Sequence, residues 1–189
     1  MKHVILFFLS LVSASGLMAQ NEMQYFNHTQ IGVFIGEESE DQNQKSLIPS
    51  FQTIHGIRFT ENLGLGIGVG AEPFEYMVYP VFVNGYIFSN CIKHKPYLAL
   101  KIGHAFSNSH KKFNNYGIYG DYTNKGGFMI HPEVGVRLKI ADYDLTLSAG
   151  YRFQRLKSDI SQGVTSSLYY SYSHQVDYNR VSFSLGLMF

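Results

Sequence analysis

From residue 29 onward the chain alternates apolar and polar positions with a period of two, the repeat of a strand with one apolar face. The pattern is clearest at 63–71, where Leu63, Leu65, Ile67, Val69 and Ala71 are separated by Gly64, Gly66, Gly68 and Gly70. At the C-terminus Val181, Phe183, Leu185, Leu187 and Phe189 alternate with Ser182, Ser184, Gly186 and Met188. Leu145, Leu147, Ala149, Tyr151 and Phe153 alternate with Thr146, Ser148, Gly150, Arg152 and Gln154. A similar run covers Ile130 to Ile140, and fainter ones cover the remaining segments. Eight strands are expected, at 29–36, 51–60, 63–72, 77–88, 96–107, 127–140, 144–156 and 177–189. Nothing between them carries a 3.6-residue repeat, so no helix is expected.

Most of these segments have the roughly 9–11 residues that a tilted transmembrane strand needs. Their connections alternate in length. Thr60–Asn62, Ala141–Tyr143 and Ser89–Lys95 are the shorter set, while Glu37–Ser50, Ser107–Gly126 and Lys157–Val176 are long. Short turns at one end and long loops at the other are the layout of an outer-membrane barrel. Pro73–Tyr76 is brief where a long loop is expected.

A soluble barrel with an apolar interior alternates in the same way, so the polar parity has to be examined. It holds Arg58, Glu72, Lys101, Glu133, Arg137, Lys139, Arg152 and Arg180. A lysine or arginine facing lipid near the midplane costs on the order of 2–4 kcal/mol, but water around a soluble barrel produces the same parity. Glycine separates the two cases. Gly32, Gly64, Gly66, Gly68, Gly70, Gly103, Gly135, Gly150 and Gly186 share the charged parity. A solvated strand face gains nothing from glycine, whereas the lumen of an eight-stranded barrel is only just wide enough for side chains. The polar face is therefore placed inside and the aliphatic face against lipid. Phe59, Tyr76, Tyr79, Phe88, Tyr97, Phe106, Phe128, Tyr143, Tyr151, Phe153 and Tyr178 lie near expected strand ends, as an interfacial girdle does.

The first twenty residues, MKHVILFFLSLVSASGLMAQ, read as an export signal. A short basic start precedes an apolar stretch too short to span a bilayer, and small residues lead to a cleavage site after Ala19. Residues 1–19 are thus expected to be a signal peptide and 20–189 one barrel domain. The chain has 15 Lys+Arg, 14 Asp+Glu and a formal charge of +1, which excludes the basic face of a nucleic-acid binder. One cysteine, Cys91, excludes a disulfide framework and a cysteine zinc site.

The terminal strand Arg180–Phe189 and the segment His55–Gly70, followed by Tyr79–Tyr86, resemble small outer-membrane β-barrel proteins of the OmpA/OmpX type, the outer membrane β-barrel domain family. The absence of tryptophan from the girdle is a departure from that pattern. The resemblance implies an all-β, eight-stranded antiparallel up-and-down transmembrane barrel in the outer membrane of a Gram-negative bacterium. It implies a structural or surface-interaction role. The partners it implies are outer-membrane lipid and lipopolysaccharide, the barrel-assembly machinery through the strand ending in Phe189, and a surface protein or glycan ligand.

Six basic and two acidic side chains in a narrow lumen must pair or be hydrated. A polar plug is expected of them, with a small anion pathway as the alternative. His131 and Glu133 share a face, with Ser148 or Ser182 as nucleophile candidates and His104 near the outer rim. These are the groups a lipid A-modifying barrel enzyme would use, but their spacing does not fix a nucleophile beside an oriented base. No catalysis is expected. A soluble periplasmic, lipocalin-like carrier is the other alternative, and it requires an apolar interior. The eight histidines show no ligand spacing, so neither metal nor cofactor is expected. Cys91 reads as an idle thiol in a turn, and the acidic run Glu37–Asp41 as solvated. Recognition is placed in the long loops, on Lys111, Lys112, Tyr116, Tyr119 and Tyr122 and on Tyr169, Tyr170 and Tyr172, with extension and capping of the barrel wall above the membrane by the same residues as the equal alternative. Tyrosine offers a large contact area at low entropic cost.

Overall fold

Alternating β-branched, aromatic and glycine residues give a chain that pairs readily as pleated strands but has no face to bury against a helix. It buries its polar face by closing on itself. The computed structural model describes residues 23–37, 45–74, 76–89, 95–107, 109–115, 118–140, 143–165 and 168–189. Nine strands form in them: β1 (Gln24–Glu37), β2 (Lys45–Arg58), β3 (Leu63–Pro73), β4 (Met77–Phe88), β5 (Lys95–Phe106), β6 (Ser109–Asn115), β7 (Ile118–Ile140), β8 (Tyr143–Thr165) and β9 (Leu168–Met188). The signal segment 1–19, Cys91, Tyr116 and most of the acidic run, Glu38–Asp41, lie outside the described residues.

Eight strands make the ring. β1 to β5 pair in order, β5 pairs directly with β7 from Lys95↔Arg137 to Ala105↔Gly127, and β7, β8 and β9 follow. β9 returns to β1 from His28↔Met188 to Gly36↔Arg180, which closes the sheet. Every pairing is antiparallel. This is the eight-stranded up-and-down barrel that the alternation implies. Closure leaves no edge within the ring, as a sheet in lipid requires.

The faces are inverted relative to a water-soluble protein. Ile67 is 64% exposed and Phe183 51%, while Arg152 is 2% exposed and Lys101 fully buried. Small residues make this interior sterically feasible. Gly64, Gly66 and Gly68 turn inward along β3, against the rings of Phe26, Phe88 and Phe82 and the side chain of Ile54.

Three expectations need correction. β1 starts at Gln24 and β2 at Lys45, so the first outer connection is shorter than 37–50. The segments 107–126 and 157–176, expected as long loops between strands, are largely paired strand, as the wall-extending alternative has it. β6 pairs with the start of β7, and β8 pairs with β9 up to Thr165↔Leu168. Together β6, β7, β8 and β9 form a blade that continues past the ring. Residues 170–175 are exposed on both parities, so no apolar stripe marks this strand in the sequence. Finally, Phe88, Tyr97 and Tyr178 point inward and are buried, whereas Tyr79, Phe106, Phe128, Tyr143 and Tyr151 face outward. Their parity, not their nearness to a strand end, decides which side they take.

The blade leaves the ring at a break in register between Asn124 and Gly126. Gly126 has φ of 77°, and a Cβ there would stand 1.8 Å from the Ala105 carbonyl oxygen. Gly85, by contrast, has nothing within 4 Å of such a Cβ. Gly126→Ala should therefore destabilise the folded barrel by roughly 1–3 kcal/mol, while Gly85→Ala should leave it unchanged. Urea-unfolding midpoints of both variants, refolded in detergent, check this.

Candidate functional site

The interior positions are the even residues of β1–β4, β8 and β9 and the odd residues of β5 and β7, so eight strands aim their polar side chains at one axis. At mid-height two ion pairs meet. Arg152 holds Glu72 through both ends of its guanidinium, Nη1 to Oε1 at 2.7 Å and Nη2 to Oε2 at 2.9 Å. Lys101 Nζ donates to Glu133 Oε1 at 2.7 Å and to the side-chain oxygens of Gln30 and Gln52, each at 2.8 Å. Those three bonds use all the donors of an ammonium. Gln52 joins the pairs: its oxygen takes Lys101, and its Nε2 donates to Glu72 Oε1 at 3.1 Å. Arg152 also donates to Gln154, and Ser50 to Glu72. The ion pairs thus belong to one hydrogen-bonded network.

Toward the short-turn end the lining becomes aromatic. Phe88 lies between two guanidiniums, with Arg137 Cζ 4.2 Å and Arg58 Cζ 5.1 Å from its ring centre. Tyr86 stacks on Phe88, and Phe26 meets Tyr86 edge-on. Arg137 donates to Asp144 at 3.2 Å, and Arg58 Nη2 points at Met188 Sδ at 3.1 Å. His28 spans this layer, with Nδ1 2.7 Å from the Tyr86 hydroxyl and Nε2 2.8 Å from Thr146 Oγ1. On the other side of the ion pairs, Arg180 stacks on Phe74 and Tyr178.

Of the eight charged positions assigned to the interior, Glu72, Lys101, Glu133, Arg137, Arg152 and Arg180 are buried and Arg58 is half-buried. Lys139 has the inward parity but is exposed, because it lies one residue from the end of β7 and reaches water beyond the rim. His28, Gln30, Gln52, Asn84 and Gln154 are equally buried, and charge alone did not single them out. Their signal is parity: His28, Gln30, Gln52 and Gln154 lie on the glycine-bearing face of their strands, and Asn84 on the face opposite the exposed aliphatic residues of β4.

The possible catalytic groups meet only in part. His131 Nε2 is 2.7 Å from Ser182 Oγ and 3.3 Å from Glu133 Oε1, whereas His104 sits on the outer wall beside Phe106. Serine and carboxylate share one ring nitrogen, and His131 Nδ1 has no hydrogen-bond partner among the described residues. A nucleophile–base–acid relay needs the acid on the other nitrogen. Among the described residues no three His, Cys, Asp or Glu side chains gather as a metal site.

On the blade, Tyr170 and Tyr172 are 62% and 49% exposed; Lys112 is exposed and Tyr122 partly so. Lys111, Tyr119 and Tyr169 lie in β6, β7 and β9 respectively. The blade is tied by exposed ion pairs. Lys125 bonds Asp159, and Arg155 grips Asp177 through Nε and Nη2 at 2.7 and 2.8 Å. The bond from Lys125 holds the Asp159 carboxyl below the usual carboxylate range.

The fold is similar to that of solved outer-membrane barrels. Neisserial surface protein A, from Neisseria, superposes with a TM-score of 0.55 at 12% identity, covering 89% of this chain and 98% of that one. The outer membrane protein OprG of Pseudomonas aeruginosa gives 0.59 at 8% identity, covering 87% and 94%. At such identities the likeness is one of fold, that of small outer-membrane β-barrels. No protein-family model and no curated protein matches the chain.

Two outcomes are expected. Glu72→Ala leaves the Arg152 charge buried without its partner and should cost about 3–5 kcal/mol in urea unfolding, most of it recovered when Arg152 is also replaced by Met. The bond of Asp159 is fully present above the ordinary carboxylate range and is lost as pH falls through the depressed value. Amide exchange in 168–176 should therefore stay slow at pH 5 and rise only in stronger acid.

Proposed function

We propose that this chain is an exported outer-membrane barrel of a Gram-negative bacterium, with a structural and surface-interaction role. Its lumen is plugged by the Arg152–Glu72 and Lys101–Glu133 network, and its blade is the recognition surface. The observation that carries this reading is the inversion of the wall: the large aliphatic side chains are exposed, and the ion pairs are buried. Water would penalise that arrangement, whereas a bilayer favours it.

The signal segment ending at Ala19 accounts for export. The plug follows from pairing: Arg152 meets Glu72, and Lys101 meets Gln30 and Gln52, across the lumen, and eight strands leave little room beside them. The exposed tyrosines and lysines of β6–β9 suit a surface protein or glycan, and lipopolysaccharide would surround the wall beneath them. The strand ending in Phe189 is the segment the barrel-assembly machinery would engage.

Catalysis is not part of this reading, because His131 presents one nitrogen to both Ser182 and Glu133 inside the wall. A soluble carrier is disfavoured by a lumen filled with charge rather than an apolar cavity.

Fractionation with a heat-modifiability gel tests the placement: recovery with the outer membrane and a mobility shift on boiling are expected, and a soluble periplasmic protein would overturn it. In planar bilayers the wild type should show no steady conductance, whereas Arg152→Ala/Lys101→Ala, which empties the mid-lumen, should conduct. An unchanged lipid A mass in cells carrying His131→Ala would agree with a non-enzymatic role.

A further inference from the structure

The lipid-facing wall carries a polar island that the lumen does not explain. On the outward parity of β1 and β2, Tyr25, Asn27, Thr29, Thr53 and His55 lie in adjacent registers, Asn27 opposite His55 and Thr29 opposite Thr53. Their neighbours across the flanking strands are apolar and exposed: Leu187 beside Thr29, Val69 beside Thr53 and Ile67 beside His55. Polar side chains in such surroundings are costly unless satisfied.

Most of the island satisfies itself. Thr29 Oγ1 donates to Asn27 Oδ1 at 3.0 Å and is 3.1 Å from Thr53 Oγ1, and Asn27 Nδ2 donates to Thr53 Oγ1 at 3.3 Å. The last link is Tyr25 Oη to His55 Nδ1 at 2.6 Å. If the tyrosine donates, the neutral imidazole carries its proton on Nε2, which then has a donor to place. If Nδ1 donates instead, Nε2 accepts from Asn27 Nδ2 at 3.3 Å and the tyrosine O–H is left over. Either tautomer leaves one donor on an exposed residue, Tyr25 or His55. Hydrocarbon has no acceptor for it.

Directly above the island the outward residues become Ile31 and Phe51, which with Ala71 line one part of a shallow, open apolar trough; the whole trough, about 1240 Å³, also reaches Met77 on β4 and Val134 and Leu147 on β7 and β8. A leftover donor near the short-turn end, below an apolar trough, matches an amphipathic molecule with an ester or phosphate oxygen at the head of an acyl chain. We propose that the island and trough dock one phospholipid of the leaflet at the short-turn end. Its oxygen accepts from Tyr25 or His55, and an acyl chain lies along Ile31 and Phe51. This rests on the membrane placement proposed above.

Native mass spectrometry of the folded protein from dodecyl maltoside micelles, supplied with palmitoyl-oleoyl-phosphatidylethanolamine, tests it. The wild type should retain a single lipid per barrel. Tyr25→Phe/His55→Leu should lower that retention about fivefold or more, the loss expected of one hydrogen bond. Ala71→Trp, which fills this part of the trough and leaves the island intact, should lower it as well. Equal retention by wild type and both variants overturns the site, as does a wild type that keeps no lipid. A dimer mass abolished by Tyr25→Phe/His55→Leu would make the island a contact between copies and overturn lipid docking. Each variant is first run on a heat-modifiability gel, with Tyr25→Phe/His55→Phe, which removes both donors and keeps two rings, as the substitute if the first double variant does not close. A wild type that shows no heat shift and needs no detergent would instead overturn the membrane placement.

Discussion

Charges drawn into a ring of eight strands must satisfy one another, because little water accompanies them. Gln52 is where this constraint is met. Its amide accepts from Lys101 and donates to Glu72, so two ion pairs from four strands share one network rather than standing as isolated buried charges. Other features of the barrel follow from making room for that network. Glycines line β3, large rings fill the lumen on the short-turn side, and the aliphatic side chains are left to the outer wall. A buried ion pair is seldom a net source of stability. Here it sets the register instead, since sliding any of β3, β5, β7 or β8 by one residue would turn a charge into the apolar belt.

The ring was legible in the sequence because one face of each strand meets lipid and the other meets the lumen, and that contrast is what period-two alternation records. Leu63 to Ala71 and Val181 to Phe189 show it most cleanly. The blade was not legible for the complementary reason. From Tyr170 to Gln175 both faces meet water, so nothing distinguishes alternate positions, and the strand looks like a tyrosine- and serine-rich loop.

The interior site was legible in its parity but not in its pairing. Sequence placed Arg152, Glu72, Lys101 and Glu133 on one face, yet partners such as Glu72 and Arg152 lie far apart along the chain, and only closure decides who meets whom. The neutral linkers were hidden for the same reason: Gln30 and Gln52 look like ordinary polar strand residues until Lys101 is brought between them. Aromatics misled where proximity to a strand end was weighed above parity, as with Phe88, whose ring lies between Arg58 and Arg137 rather than at the bilayer surface.

The pairing of β1 with β9 has a kinetic consequence. Most neighbours in the ring are joined by short connections, and even β5 and β7 are separated by little more than a hairpin, so these contacts can zip up locally. The seam from His28↔Met188 to Gly36↔Arg180 joins segments near the two ends of the described chain, and its loop-closure entropy is the largest in the fold. Until that seam forms, Gln30 on β1 is not brought to Lys101 on β5, nor Glu72 on β3 to Arg152 on β8, across the same lumen. The inward-facing network is therefore completed in the step that removes the last open edges of the ring, so an incompletely closed sheet is exposed at its edges and unsatisfied in its interior at the same time.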